Sequence, residues 1–358
     1  MMAILGSELS FAWYAPTHGD ATIIGGHDEH LGWSPSYIDE VALEAEAAGF
    51  TSILIPTGPS CADPFVTAGH IVAATTDLVP LIAVRTGSWL PTVAAKAAMT
   101  LDQISGGRVS LNIVSGGSPM ELAMDGDYTR HDIRYRRTGE YLEVLRDLWR
   151  GEPTTYKGEF FDITGAAFRP PVVRKEGIPL YLGGASEDAI RIAAAAADVY
   201  LMWGEPAEAV SMQLDKARRF ASEAGREIRY GMRINLIVEE TTEAAWAKAH
   251  QMVASVDPEM RERARAYLKD SDSQGVARLQ SIAGDGAQDP AYWTGMVPFR
   301  SGNSSALVGS PQEVAAALYR YVEAGISEFI FSAYPHRGTA RLVGESVIPA
   351  LRRRAEEN

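Results

Sequence analysis

Tyr334 and His336 stand two residues apart in the run Ile326-Ser327-Glu328-Phe329-Ile330-Phe331-Ser332-Ala333-Tyr334-Pro335-His336. They set a phenol and an imidazole close together in the chain. Residues 328–333 are apolar and aromatic and predict a short buried strand, which Pro335 cannot continue. The two groups therefore sit where a strand gives way to a loop. In a (β/α)₈ barrel that is the catalytic mouth. An ordinary surface loop would accommodate them equally well.

Other runs carry chemistry of a different kind. Arg233 and Asn235 lie in Gly231–Ile237 and, by the two-residue period of a strand, share a face opposite Met232, Ile234 and Leu236. Two polar groups on one face of an apolar strand are costly to bury unless paired or wet. Arg233 is thus either a site group or an arginine locked to a carboxylate. Arg300, in Pro298–Gly302, is a second candidate cation. Gly183-Gly184-Ala185-Ser186 follows a strand and opens a helix, where bare backbone N–H groups and the helix dipole favour a phosphate, although a serine there is also ordinary helix punctuation. Ser115-Gly116-Gly117-Ser118 is a second such turn. Trp203 reads either as core or as the wall of a planar ligand, and Cys61 as a buried, inert thiol. His27-Asp28-Glu29-His30 has metal-like spacing but no strong third ligand near it, so no metal is expected. There is no P-loop and no dinucleotide glycine fingerprint after the first strand.

These residues need a scaffold. Eight apolar runs predict strands at Glu8–Ala15, Thr51–Ile55, Val79–Val84, Arg108–Val114, Pro179–Leu182, Val199–Trp203, Arg229–Val238 and 328–333. Helical periodicity separates them over 36–48, about 64–76, 91–104, 136–150, 186–197, 206–224, 242–256, from Ser310 onward, and about 338–354. Strands alternating with helices imply a parallel sheet, and eight of them favour closure into a TIM barrel over an open doubly wound sheet. Residues 151–176 read as an inserted hairpin. Residues 257–305 fit no strand–helix unit and read as an irregular inserted lid, mobile without its ligand.

Composition bounds the rest. With 358 residues, 46% of them hydrophobic, the chain can form one large barrel domain. A formal charge of −13 argues against nucleic acid or an anionic membrane as partner, so an anionic substrate would need local arginines. A single cysteine, no apolar run of membrane-spanning length and no signal-like N-terminus point to the cytoplasm.

The sequence resembles the bacterial-luciferase-like flavin monooxygenases at Ile55–Cys61, Pro91–Lys96, Thr100–Asp102, Asp125-Gly126, His131 and Arg134-Tyr135. Gly183–Ser186, Trp203–Pro206, Gly231–Arg233, Ser305–Gly309 and Tyr334–His336 look closest to the alkanesulfonate monooxygenases. The resemblance implies a TIM barrel that takes reduced FMN from a separate NAD(P)H-dependent FMN reductase. With O₂ it would split the C–S bond of an organosulfonate into aldehyde and sulfite. It also implies a homodimer or homotetramer. The catalytic positions it implies are Cys61, Trp203, Arg233, Asn235, Arg300, Tyr334 and His336. Arg233 and Arg300 would hold the sulfonate, and Tyr334 and His336 would transfer protons. Asn112, Ser115, His131, Tyr135, Gly184, Ala185 and Ser186 would bind FMN. Asn235 departs from the histidine of the alkanesulfonate members and cannot titrate near neutral pH. A polar sulfonate such as sulfoquinovose is therefore a candidate substrate beside the alkanesulfonates. The alternatives are a deazaflavin-dependent dehydrogenase of the same fold and a non-catalytic flavin- or sulfonate-binding protein.

Overall fold

The computed structural model describes residues 6–24, 31–254, 256–285, 289–300 and 302–357. The His27–His30 run lies outside them. Eight parallel strands form the barrel: β1 (Ser10–Tyr14), β2 (Ser52–Ile55), β3 (Val79–Arg85), β4 (Ser110–Val114), β5 (Leu180–Gly183), β6 (Val199–Trp203), β7 (Arg229–Val238) and β8 (Glu328–Ser332). Each pairs with its neighbours in chain order, and β8 returns to β1 in the register Phe11 with Phe329, which closes the ring. The expected fold is the one found.

Side-chain alternation builds two layers. Phe11, Ile53, Ile82, Leu111, Leu182, Tyr200, Ile234 and Phe331 point outward and pack under the helices. Ala12, Tyr14, Leu54, Leu81, Tyr181, Val199, Leu201 and Ile330 fill the interior. At the N-terminal end of the barrel, Tyr181 donates its hydroxyl hydrogen to Glu328 at 3.1 Å, and Arg229 pairs with the same carboxylate. Proline in the first turn and a capping side chain start several helices cleanly. In Pro35–Ala47, Ser34 Oγ accepts from the Tyr37 N–H at 3.1 Å, and Ser310 and Glu313 form a full capping box for Pro311–Ala324.

Within residues 151–176, Thr154–Lys157 runs antiparallel to Asp162–Ala166. The N–H groups of Glu159, Phe160 and Phe161 in the turn between them donate to the Glu140 carboxylate at 2.7, 3.0 and 3.3 Å. The second insertion is not irregular. It holds helices Pro258–Asp270 and Gln274–Asp285, then Tyr292–Trp293 antiparallel to Ala306–Gly309, which runs parallel to the end of β7. The first of these helices buries no side chain, so it carries no apolar stripe for the sequence to display. The helix expected from residue 136 begins earlier, at His131, and a short helix, Pro119–Met124, was not expected. Among the described residues, no helix is long and apolar enough to cross a membrane.

Candidate active site

A cleft of about 410 Å³ opens at the C-terminal ends of the strands. Its walls come from seven strand ends and from the second insertion, and they include Tyr14, Cys61, Asn112, Trp203, Arg233 and Arg300.

One end is lined by backbone and small side chains. Gly184 has φ +151°, and a Cβ there would lie 2.5 Å from Ala189 Cβ and 2.7 Å from the Tyr135 hydroxyl. Ser186 caps the helix Glu187–Ala196, accepting from the Ala189 N–H at 3.2 Å. The Tyr135 phenol hydrogen-bonds with Ser115 and Ser186, and burial pushes its pKa up despite them. His131 sets its ring edge-on to Tyr135 at 5.2 Å. Ser115, His131, Tyr135, Gly184, Ala185 and Ser186 are thus brought together, with Asn112 deeper in the wall.

The other end is cationic. The Arg233 guanidinium lies 4.4 Å above the Tyr14 ring, and its Nε is buried without a hydrogen-bond partner. Burial lowers its pKa, opposed by the Tyr14 hydroxyl and reinforced by the charge of Arg300. Arg300 sits 5.2 Å over the Tyr334 ring and donates from Nη1 to Asn235 Oδ1 at 3.2 Å. Among the described residues, neither arginine has an ion-pair partner. The reading of Arg233 as an arginine locked to a carboxylate is therefore not what is found.

Three expected residues fall outside the cleft wall: Asn235, Tyr334 and His336. Asn235 is 1% exposed and fully engaged by protein groups. Tyr334 lies behind Arg300. His336 is buried just ahead of a kink at Arg337 and Gly338, and its N–H donates to Asp20 Oδ2 at 2.6 Å. Its Nδ1 lies 3.0 Å from Asp20 Oδ1 without hydrogen-bond alignment, so that contact is electrostatic. The ring stacks on Tyr14 at 5.3 Å. The expectation that Tyr334 and His336 both open onto the mouth is corrected accordingly, because the imidazole packs against Asp20, Trp13 and Tyr14, on β1 and the loop after it. Burial alone would raise the Asp20 carboxyl; the His336 charge and the hydrogen bonds from His336 and Tyr37 outweigh it and hold the pKa below its usual value.

Cys61 is half-buried in the wall, and burial pushes its thiol up, so it is not a thiolate at neutral pH. Tyr14 and His18 are among the wall residues that escaped the sequence reading. Tyr14 ends β1 on the inner face, and His18 follows it in the loop, its ring 6.0 Å from Tyr14. The rule that strand ends carry the site points to both. His18 keeps an open face toward the cleft, yet desolvation by the walls and the charges of Arg300, His336 and Arg233 lower its pKa to about 4. Its imidazole is neutral at pH 7. Among the described residues, no cluster suits a metal ion.

The sequence model of the luciferase-like monooxygenases matches residues 9–328. The chain belongs to that family. Its barrel is similar to that of riboflavin lyase, solved with modified FMN and substrate riboflavin, at 21% identity over 97% of this chain and 92% of that one, with a TM-score of 0.81. It is also similar to EDTA monooxygenase from Chelativorans sp. BNC1, at 18% identity over 97% and 94% of the chains, TM-score 0.77. A third similar structure is an F420-dependent secondary alcohol dehydrogenase with an F420–acetone adduct, at 19% identity over 96% and 99%, TM-score 0.71. At these identities the likeness shows the fold alone, and barrels similar to this one have been solved with modified FMN and with an F420–acetone adduct.

Proposed function

We propose that the protein is the oxygenase of a two-component cytoplasmic system. It takes reduced FMN from a separate NAD(P)H-dependent reductase, works as a homodimer or homotetramer, and cleaves an organosulfonate. The balance is RCH₂SO₃⁻ + FMNH₂ + O₂ → RCHO + HSO₃⁻ + FMN + H₂O. The observation that carries this reading is the pair Arg233 and Arg300. Both border the cleft with no carboxylate partner among the described residues, in a chain of net charge −13. Two such guanidiniums match the oxygens of one anion.

The other end of the cleft fits a phosphate group. The bare approach at Gly184, the N-terminus of the helix behind Ser186, and the hydroxyls of Ser115 and Tyr135 would hold it. Asn112 would adjoin the ring, with Trp203 and Cys61 on the walls. When bound, reduced FMN supplies the electrons that activate dioxygen. Arg233 and Arg300 bind and orient the sulfonate. His18, held neutral, accepts a proton within the cleft. Tyr334 backs Arg300 from outside the cleft wall, and His336 keeps Tyr14 in place under Arg233. The second insertion excludes water.

Sulfite release decides the matter, measured in air with reduced FMN from a generic reductase across methanesulfonate, octanesulfonate and sulfoquinovose. Sulfite from one class supports the reading. Silence across the panel, with reduced FMN still bound, overturns it. Alcohol-dependent reduction of a deazaflavin without oxygen uptake would identify the protein as a dehydrogenase of the same fold.

A further inference from the structure

Asn235 uses every hydrogen-bonding site of its carboxamide. Its Nδ2 donates to the Asn303 carbonyl at 3.2 Å and the Ser305 carbonyl at 2.8 Å. Its Oδ1 accepts from Ser332 Oγ at 2.7 Å and from Arg300 Nη1 at 3.2 Å. Asn303 Nδ2 in turn donates to the Arg233 carbonyl at 2.7 Å. One buried side chain thus fastens β7, β8, the segment entering the strand Ala306–Gly309, and the guanidinium of Arg300.

The nature of this anchor separates Arg300 from other arginines of the chain. Arg85 is held by Asp125 and Glu121, Arg134 by Asp272, Arg137 by Asp127 and Arg278 by Glu205. Each of those guanidiniums has its charge neutralised where it sits. Arg300 is held by a neutral amide oxygen, which fixes one N–H and leaves the charge and the remaining donors for another anion.

We infer that Asn235 is a positioning residue that presents Arg300 to the anionic substrate with its charge uncompensated. The inference rests on the sulfonate reading above and deepens it: the neutral carboxamide at position 235 sets anion affinity without touching the substrate. A carboxylate at this position would satisfy the same Arg300 N–H and abolish the receptor.

The test is anion binding, followed by calorimetry with sulfite and with octanesulfonate on the flavin-free protein. The variants are Asn235→Ala, Arg300→Ala, the double variant and Asn235→Asp, each checked by thermal melting. Arg300→Ala should weaken binding about 10- to 100-fold, as befits loss of one charge-assisted contact. Asn235→Ala should cost about 10-fold, and nothing further once Arg300 is gone. Asn235→Asp turns a carboxyl oxygen toward the Asn303 and Ser305 carbonyls, so it is read at a pH where that carboxyl is ionised; there it should bind anions as poorly as Arg300→Ala, and it carries the test alone if Asn235→Ala does not fold. Equal losses from Asn235→Ala with and without Arg300, or wild-type affinity in Asn235→Asp, would overturn the inference. If neither Arg233→Ala nor Arg300→Ala changes anion binding, the sulfonate reading itself falls and takes the inference with it. That failure appears in the single arginine variants rather than in the cycle.

Discussion

Arg134 Nη2 touches both carboxylate oxygens of Asp272, at 2.7 and 2.8 Å, across 138 residues of chain. Arg134 is 1% exposed and precedes Tyr135 on the helix His131–Trp149, so the inserted segment is tied to the Tyr135 end of the cleft. The Ser271 hydroxyl adds a bond to the Gly117 carbonyl at 2.8 Å. Removing one member of such a pair leaves a buried charge alone, at a cost of about 3–5 kcal/mol. Asp272→Ala should therefore loosen residues 257–285 and speed their limited proteolysis, while β1–β8 keep their hydrogen-exchange protection. Reduced FMN should slow the cleavage in the wild type. Equal protease resistance of the two proteins would show that the tie does not hold the insertion down.

Gly184→Ala tests the cradle. The added methyl would meet Ala189 and the Tyr135 hydroxyl within 2.7 Å, at a φ that L-residues rarely adopt. Strain of this kind amounts to about 1–3 kcal/mol. FMN affinity, read from flavin fluorescence quenching, should fall about 10- to 100-fold, with a smaller loss for Ser115→Ala. Unchanged affinity would remove this turn from the flavin site.

His18 gives a pH dependence with a defined sign. Its pKa falls from 6.5 to about 4 on folding, so between those values the unfolded chain binds a proton that the folded chain refuses. Stability should decline as pH falls through that window and level off below it. His18→Asn should flatten that part of the thermal-melting profile and leave the profile above pH 7 unchanged.

Asp20 organises the loop after β1. It accepts from the Tyr37 hydroxyl at 2.7 Å, the His336 N–H at 2.6 Å and the Ala21 N–H at 2.8 Å. Asp20→Ala strands buried donors at about 1–3 kcal/mol each. A drop of about 3 kcal/mol in unfolding free energy is expected from urea titration. Asp20→Asn, which keeps acceptors, should lose less. His336 then loses its anchor and its stacking on Tyr14 should loosen; on the proposed function, anion binding at Arg233 should weaken as well.

The barrel was legible because its signals are local. Each strand is an apolar run with a turn behind it, and the alternation in Met232–Leu236 tells inside from outside without any contact information. The inner-face position of Arg233 and Asn235 follows from the same rule. The partners of Asn235, at 303, 305 and 332, do not, because no local pattern encodes a carboxamide joining three distant segments. The helix Pro258–Asp270 was missed for the opposite reason: with no buried face it looks like solvent-loving loop. His336 misled because a strand end in a barrel suggests a side chain facing the mouth, whereas the imidazole turns onto Asp20 and Tyr14 before Arg337 and Gly338, both non-helical, lead into the helix.

The packed interior below the cleft has a kinetic meaning. Tyr181, Glu328 and Arg229 seal the floor, and Leu54, Leu81, Leu201 and Ile330 fill the shaft above them. Among the described residues the shaft below the cleft is closed. On the proposed function, the ligand that settles deepest would then arrive first and leave last, so the two ligands would obey a queue rather than independent traffic.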